Sequence, residues 1–198
     1  MKILHLFDFD GTLCNTNSSK FFYKNISNPL LYFICYYLLP FIPLIKYFFF
    51  RGSNYNIKKK RLAAFVKYCS TRKIEWFLSN SSNIIDSILI VNAKIELQKL
   101  KENPDNQIYI VSSSLSILLD KWALQEKIGL ITNVVDVSLI TKQVVFHNQF
   151  DCDGIGKLLL IKKEIYLKKY DKIIAYGDSP NDFPMFSIAD QFHYKPFV

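Results

Sequence analysis

The chain has 198 residues, half of them hydrophobic and 16% aromatic, which excludes a disordered or collagen-like polymer and requires a packed core. That length holds one α/β domain with a modest insertion and falls short of two full domains. The formal net charge is +8, with only three arginines among the cations; an AT-rich genome alone would produce such lysine-rich composition, so where the charge sits matters more than its size.

The N-terminus runs from Met1 straight into an apolar strand pattern and has no signal-peptide cleavage region, so the catalytic part is expected in the cytoplasm. Residues 3–9 form a short apolar run ending in Asp8 and Asp10, with Gly11-Thr12 as the following turn. The pattern predicts a buried parallel strand that delivers acids at its C-terminal end. Residues 107–111 repeat it and end in Ser112-Ser113-Ser114, and residues 172–176 do so again, ending in Gly177-Asp178. Helical patterns occupy 114–128, with Ser114 as a candidate cap, and 155–170, while 131–149 reads as one or two strands. The alternation marks an α/β fold with an open parallel sheet, in which ligands bind beyond the carboxyl ends of the strands. Cysteines 14, 35, 69 and 152 have neither CxxC nor metal-ligand spacing, and free thiols in a reducing compartment are expected.

Residues 14–105 separate the first two strands by far more than an ordinary crossover and predict an inserted, mainly helical cap. Its last helix is expected over roughly 83–102, amphipathic and capped by Ser82. Within the insertion, Leu30 to Ile45 carries no charge, and Lys46 is followed by Tyr47 and three phenylalanines. Pro29, Pro40 and Pro43 divide segment 29–50, so a dip into one leaflet or a greasy cap face fits better than a straight span. From Lys46 to Lys73 there are nine cations and no acid, which leaves the rest of the chain close to neutral. An apolar segment joined to a polybasic one predicts contact with an anionic membrane surface. A buried cap core followed by a solvated helix is the plainer alternative.

Asp8-Phe9-Asp10-Gly11-Thr12 places two carboxylates at the end of a strand, one suited to attack and the other to proton transfer. Gly177-Asp178-Ser179-Pro180-Asn181-Asp182 adds further acids beyond another strand, although a capped turn alone would use the same residue types. With Asp8 and Asp10 they make an oxygen-rich site suited to Mg²⁺. Ser112 and the neighbouring amides fit a phosphate oxygen, and Lys157, after Gly154 and Gly156, fits the role of offsetting negative charge.

In this order the four elements resemble the haloacid dehalogenase superfamily of phosphohydrolases, over residues 1–13 and 106–198. The resemblance implies a Rossmann-like three-layer core with a helical type-one cap at 14–105, as in phosphoserine phosphatase-like members (subfamily IB). It implies Asp8 as phosphoryl-accepting nucleophile, Asp10 as general acid/base, and Ser112 and Lys157 as ligands of the transferring phosphoryl group. Mg²⁺ would be held by Asp8, the backbone carbonyl of Asp10, and Asp178, with Asp182 supporting, and Thr12, Ser113 and Asn181 would contact substrate. The segments 28–46, Arg51-Gly52, 152–157 and 176–184 resemble most closely the bacterial phosphatidylglycerophosphatase C family. That similarity implies a lipid phosphomonoester substrate at the cytoplasmic face of the membrane. A soluble-metabolite phosphatase acting on phosphoserine or a sugar phosphate would share every catalytic residue. A phosphatase of nucleic-acid ends is a weaker alternative, since the apolar run beside the basic window argues against a nucleic-acid partner.

Overall fold

The computed structural model describes residues 1–41 and 54–197. Five parallel strands form one sheet in the order β3-β2-β1-β6-β7, with β1 at Ile3–Phe7, β2 at Asn106–Leu115, β3 at Gly129–Asn133, β6 at Lys172–Gly177 and β7 at Gln191–Tyr194. A separate antiparallel hairpin joins β4 (Val135–Ser138) to β5 (Gln143–Phe146). β1 occupies the middle of the sheet, covered on both faces, which is why its sequence reads as an unbroken apolar run. Leu4 and Leu6 enter one apolar cluster with Val111, Ile131, Leu160 and Met185; Phe7 enters the larger one, which extends into the insertion. The observed α/β fold is the expected one.

The helices are α1 (Ser18–Ile26), α2 (Pro29–Phe33), α3 (Asn54–Tyr68), α4 (Thr71–Ser79), α5 (Ser81–Ile88), α6 (Val91–Lys101), α7 (Ser116–Gln125), α8 (Ile155–Glu164) and α9 (Phe183–Phe186). A π-helical turn, Ile34–Leu38, continues α2. Asn17 caps α1 by accepting the Lys20 amide at 2.8 Å, and Asn28 caps α2, which has Pro29 at its first position.

Three local expectations are corrected. The helix expected over 83–102 is two helices, α5 and α6, and Ser82 lies inside α5, where its hydroxyl donates to Gln125. The break at Leu89-Ile90 arises because this stretch pairs with the chain leaving the core: Cys14 bridges Leu89, and the Ile90 amide donates to the Leu13 carbonyl at 2.9 Å. The two ends of the insertion are thereby tied together, and α6 packs on β2. Second, β2 continues through the three serines to Leu115, with a register irregularity between Val111 and Leu115, so Ser114 is strand and not helix cap. Its hydroxyl instead meets that of Ser18 at 2.7 Å. Third, the helix from 155 stops at Glu164.

Of the apolar segment 29–50, residues 42–50 lie outside the described residues, as do Lys46 and Arg51 of the basic window. Among the described residues no helix is long and apolar enough to cross a membrane.

Candidate active site

Of the side chains singled out in the sequence, Asp8, Lys157, Asp178 and Asp182 converge beyond the carboxyl edge of the sheet. Asp8 follows β1 directly, its amide anchored by the Tyr176 carbonyl of the neighbouring strand at 2.9 Å. Its Oδ1 lies 2.5 Å from Lys157 Nζ, which also reaches Asp182 Oδ1 at 2.6 Å. All three groups are buried. Lys157 can stand there because α8 begins against the Asp151 loop. A Cβ on Gly156 would lie 1.9 Å from the Asp151 carbonyl oxygen, so only glycine permits the approach.

Asp178, at the end of β6, completes the cluster: carboxylate oxygens of Asp8, Asp178 and Asp182 lie within 4.8 Å of one another. Gly11 makes room for it. Its φ is +93°, and an added Cβ would fall 2.4 Å from Asp178 Oδ2. Thr12 sits between the two acids, its hydroxyl 3.1 Å from Asp8 Oδ2 and 3.3 Å from Asp178 Oδ1. Asp182 is fully engaged. Oδ1 meets Lys157, while Oδ2 accepts the amides of Asp178 and Ser179 and the Ser179 hydroxyl at 3.0–3.1 Å. It therefore braces the loop that carries Asp178.

Burial pushes the Asp8 carboxyl above the usual carboxylate range, against the pull of Lys157. Burial alone would pull Lys157 down; Asp8 and Asp182 outweigh it and hold the ammonium above its ordinary value. Three carboxylates against one ammonium leave a negative excess, and the donors are all hard oxygens, with Asp178 only partly buried. This chemistry fits Mg²⁺, which prefers a few carboxylates and retains waters.

Asp10 stands apart from the cluster. Its Oδ1 accepts the Ser18 amide at 2.8 Å, and its Oδ2 accepts Asn17 Nδ2 at 3.0 Å, so the start of the insertion fixes its orientation. Burial raises its carboxyl to about 6, with the Ser18 hydrogen bonds opposing the rise. A proton exchanges readily at such a group near neutral pH.

Ser112 is buried, with its hydroxyl accepting the Ser114 amide at 3.1 Å. The Ser113 carbonyl receives Asn133 Nδ2 at 2.8 Å and Lys58 Nζ at 3.3 Å. Asn133 and Lys58 both bind Asp151 as well, each at 2.8 Å, so α3 of the insertion is pinned to the core beside Ser113. Asn181 is exposed on the turn before α9, and no side-chain hydrogen bond ties it to the acids.

The sequence reading missed Asn17, Ser18, Lys58, Asn133 and Asp151. An Asn-Ser pair at a helix start signals a cap, which Asn17 is, but its second hydrogen bond to Asp10 needs the fold. Lys58 was hidden in a run of lysines.

A parallel sheet with acids gathered at its carboxyl edge, faced by a buried lysine and overhung by helices, defines a class of α/β hydrolases. The profile of the haloacid dehalogenase-like hydrolases matches residues 5–187, and the chain belongs to that family. No curated protein sequence matches it significantly. Among solved structures, a protein of unknown function from Bordetella pertussis Tohama I is similar at TM-score 0.72 and 16% identity, over 97% of this chain and 89% of that one. A phosphoserine phosphohydrolase-like protein from Francisella tularensis is similar at TM-score 0.66 and 21% identity, over 99% and 90%. A phosphoserine phosphatase, solved as a phospho-aspartyl intermediate analogue, is similar at TM-score 0.64 and 18% identity, over 97% and 85%.

Proposed function

We propose that the protein is a Mg²⁺-dependent phosphomonoesterase that works through an aspartyl-phosphate at Asp8 and acts on a lipid phosphate such as phosphatidylglycerophosphate. The observation that carries the reading is the buried Asp8–Lys157–Asp182 array with Asp178 beside it. An Asp8 oxygen forms a bond to phosphorus as the ester oxygen leaves, and the Asp10 carboxylic acid gives that oxygen a proton. Water then attacks phosphorus, Asp10 takes its proton, and the Asp8–phosphorus bond breaks to release inorganic phosphate. Lys157 would balance charge on Asp8, Ser112 would bind a phosphoryl oxygen, and Thr12, Ser113 and Asn181 would contact the substrate. Asp8, the Asp10 carbonyl and Asp178 would hold Mg²⁺, oriented by Asp182; when bound it supplies positive charge to the carboxylates and phosphate oxygens.

The proposed division is a core of 1–13 and 106–198 with a cap at 14–105. Support for a lipid substrate comes from the cap surface. Leu30, Phe33, Tyr37, Leu38, Leu39 and Phe41 are all exposed along α2 and the turn after it, next in sequence to the cationic window. Apolar and cationic surface together favour peripheral attachment to an anionic bilayer, at its cytoplasmic face. The similarity of the cap sequence to the phosphatidylglycerophosphatase C family supports the same substrate.

The test is turnover by purified protein with Mg²⁺ on lipid and soluble phosphomonoesters. Hydrolysis that Asp8→Asn abolishes, with dihexanoyl phosphatidylglycerophosphate preferred over phosphoserine and sugar phosphates, is expected. Full activity in Asp8→Asn overturns the mechanism, and a preference for phosphoserine overturns the lipid reading.

A further inference from the structure

The end of β2 is where the sheet supports its own strand least. Register with β3 holds as far as Val111 against Ile131 and resumes only at Leu115 against Asn133, so the ladder skips Ser112–Ser114. Side chains hold this stretch instead. The Ser113 carbonyl accepts Asn133 Nδ2 at 2.8 Å and Lys58 Nζ at 3.3 Å, and both donors also reach the Asp151 carboxylate at 2.8 Å. Asn133 is fully buried, and its Oδ1 accepts the Cys152 amide at 2.9 Å, which fixes the direction in which Nδ2 faces. Asn133 ends β3 and Asp151 lies ahead of α8, whereas Lys58 comes from α3 in the insertion.

The consequence falls on Ser112. A trans peptide points its C=O and N–H in opposite directions, so a Ser113 carbonyl held towards Lys58 and Asn133 turns the Ser114 amide the other way. That amide donates to Ser112 Oγ at 3.1 Å. A hydroxyl that accepts this hydrogen bond keeps its own proton to give. Among the described residues no group accepts that proton, although Ser112 is buried. A buried donor without an acceptor is costly, and a phosphoryl oxygen is an acceptor that would relieve it.

We infer that Lys58, Asn133 and Asp151 are positioning residues that aim the Ser112 hydroxyl, as a donor, at the transferring phosphoryl group. The inference rests on the phosphomonoesterase reading, in which Ser112 binds a phosphoryl oxygen. It adds residues that act through Ser112 without touching substrate, one of them supplied by the insertion. Lys58 also lines the cavity above Asp10 and Ser113, so direct contact with substrate is the rival role that a test must separate.

The test is a double-mutant cycle in kcat, with the wild type, Lys58→Met, Ser112→Ala and the two substitutions together, on glycerol 1-phosphate and dihexanoyl phosphatidylglycerophosphate. Lys58→Met should lower kcat about 10-fold or more on both substrates, because a misplaced group forfeits most of its contribution. In the Ser112→Ala background the same substitution should cost less than about 3-fold, since residues that act through one group are not additive. Lys58→Arg, which keeps the charge and the reach, should recover part of the loss, and Lys58→Gln carries the same cycle if Lys58→Met does not fold. An equal loss in both backgrounds overturns the inference and marks general damage to the insertion. A loss confined to one substrate overturns it in favour of direct contact. Exchange of the Ser114 amide with deuterium, followed by NMR, reads the geometry without turnover. It should quicken on the order of 10-fold or more in Lys58→Met while the amides of β1 stay protected. If the wild type hydrolyses neither substrate, the phosphatase reading fails and exchange decides the array, which an unchanged Ser114 rate overturns.

Discussion

Lys157→Met removes the only cation that touches Asp8 and Asp182 among the described residues while keeping most of the side-chain length. Lys157 Nζ lies 2.5 and 2.6 Å from the two carboxylates, and all three groups are buried. Breaking a buried pair by deleting one partner costs about 3–5 kcal/mol, a large share of the roughly 5–15 kcal/mol that holds a domain folded. The sign with pH follows from the protons. In the variant Asp8, which burial already pushes up and from which the opposing pull of Lys157 is gone, keeps its proton to higher pH than in the unfolded chain, so above about pH 4 the folded state binds more protons and loses stability as pH rises. Urea denaturation in EDTA, followed through the buried Trp122, should show a larger deficit at pH 7.5 than at pH 5. Millimolar Mg²⁺ should recover part of it by supplying the missing charge. Turnover should fall about 10²–10³-fold, the usual loss on deleting one electrostatic stabiliser of a transition state. A wild-type midpoint for the variant in EDTA at pH 7.5 would refute the reasoning, because it would mean that Asp8 and Asp182 need no cation between them.

Gly11→Ala should raise the Mg²⁺ concentration for half-maximal activity on the order of 10-fold or more, since the new methyl occupies the place of Asp178 Oδ2 and φ is +93°; metal titration of activity checks this. Asn17→Ala should cost about 1 kcal/mol of stability through loss of the α1 cap, and should lower kcat more than it raises KM because Asp10 loses the partner of its Oδ2; denaturation and steady-state kinetics measure the two effects. His5 is buried in the middle of the sheet, and burial holds it below its ordinary 6.5, with a side-chain hydrogen bond to Asn106 opposing the shift and Glu96, Lys172 and His193 acting on it more weakly. The unfolded chain takes up a proton as pH falls through 6.5 while the folded chain does not, so stability is full above that pH and declines below it. His5→Phe should therefore lose less stability than the wild type between pH 7.5 and 5, measured by thermal melts.

Much of this architecture could be read from local pattern. A strand covered on both faces must be apolar throughout, so the runs 3–9, 107–111 and 172–176 declared themselves, the first ending as a strand at Phe7, and the polar residues at their ends could only be turns or a site. The features that escaped depend on partners distant in sequence. The apolar periodicity of 83–102 continues smoothly across Leu89-Ile90, and only pairing with Leu13-Cys14 breaks the helix there. Ser114 has the residue type of a helix cap, but the irregular end of β2 turns its hydroxyl to Ser18. The same applies to the site. Asp8, Asp178, Asp182 and Lys157 were visible as motifs, whereas the contacts that orient Asp10 and fix Ser113 come from Asn17, Ser18, Lys58 and Asn133, which no local signal distinguishes from surface polar residues.

The most direct measurement asks where phosphorus becomes covalently attached. Purified protein turning over a phosphomonoester with Mg²⁺ is quenched in acid, reduced with borohydride and digested, so that an aspartyl-phosphate is read by mass spectrometry as homoserine. The account predicts homoserine at position 8 and at no other aspartate, and none in Asp8→Asn. Conversion at Asp10 or Asp178 during sustained turnover, or no conversion at all, would contradict it.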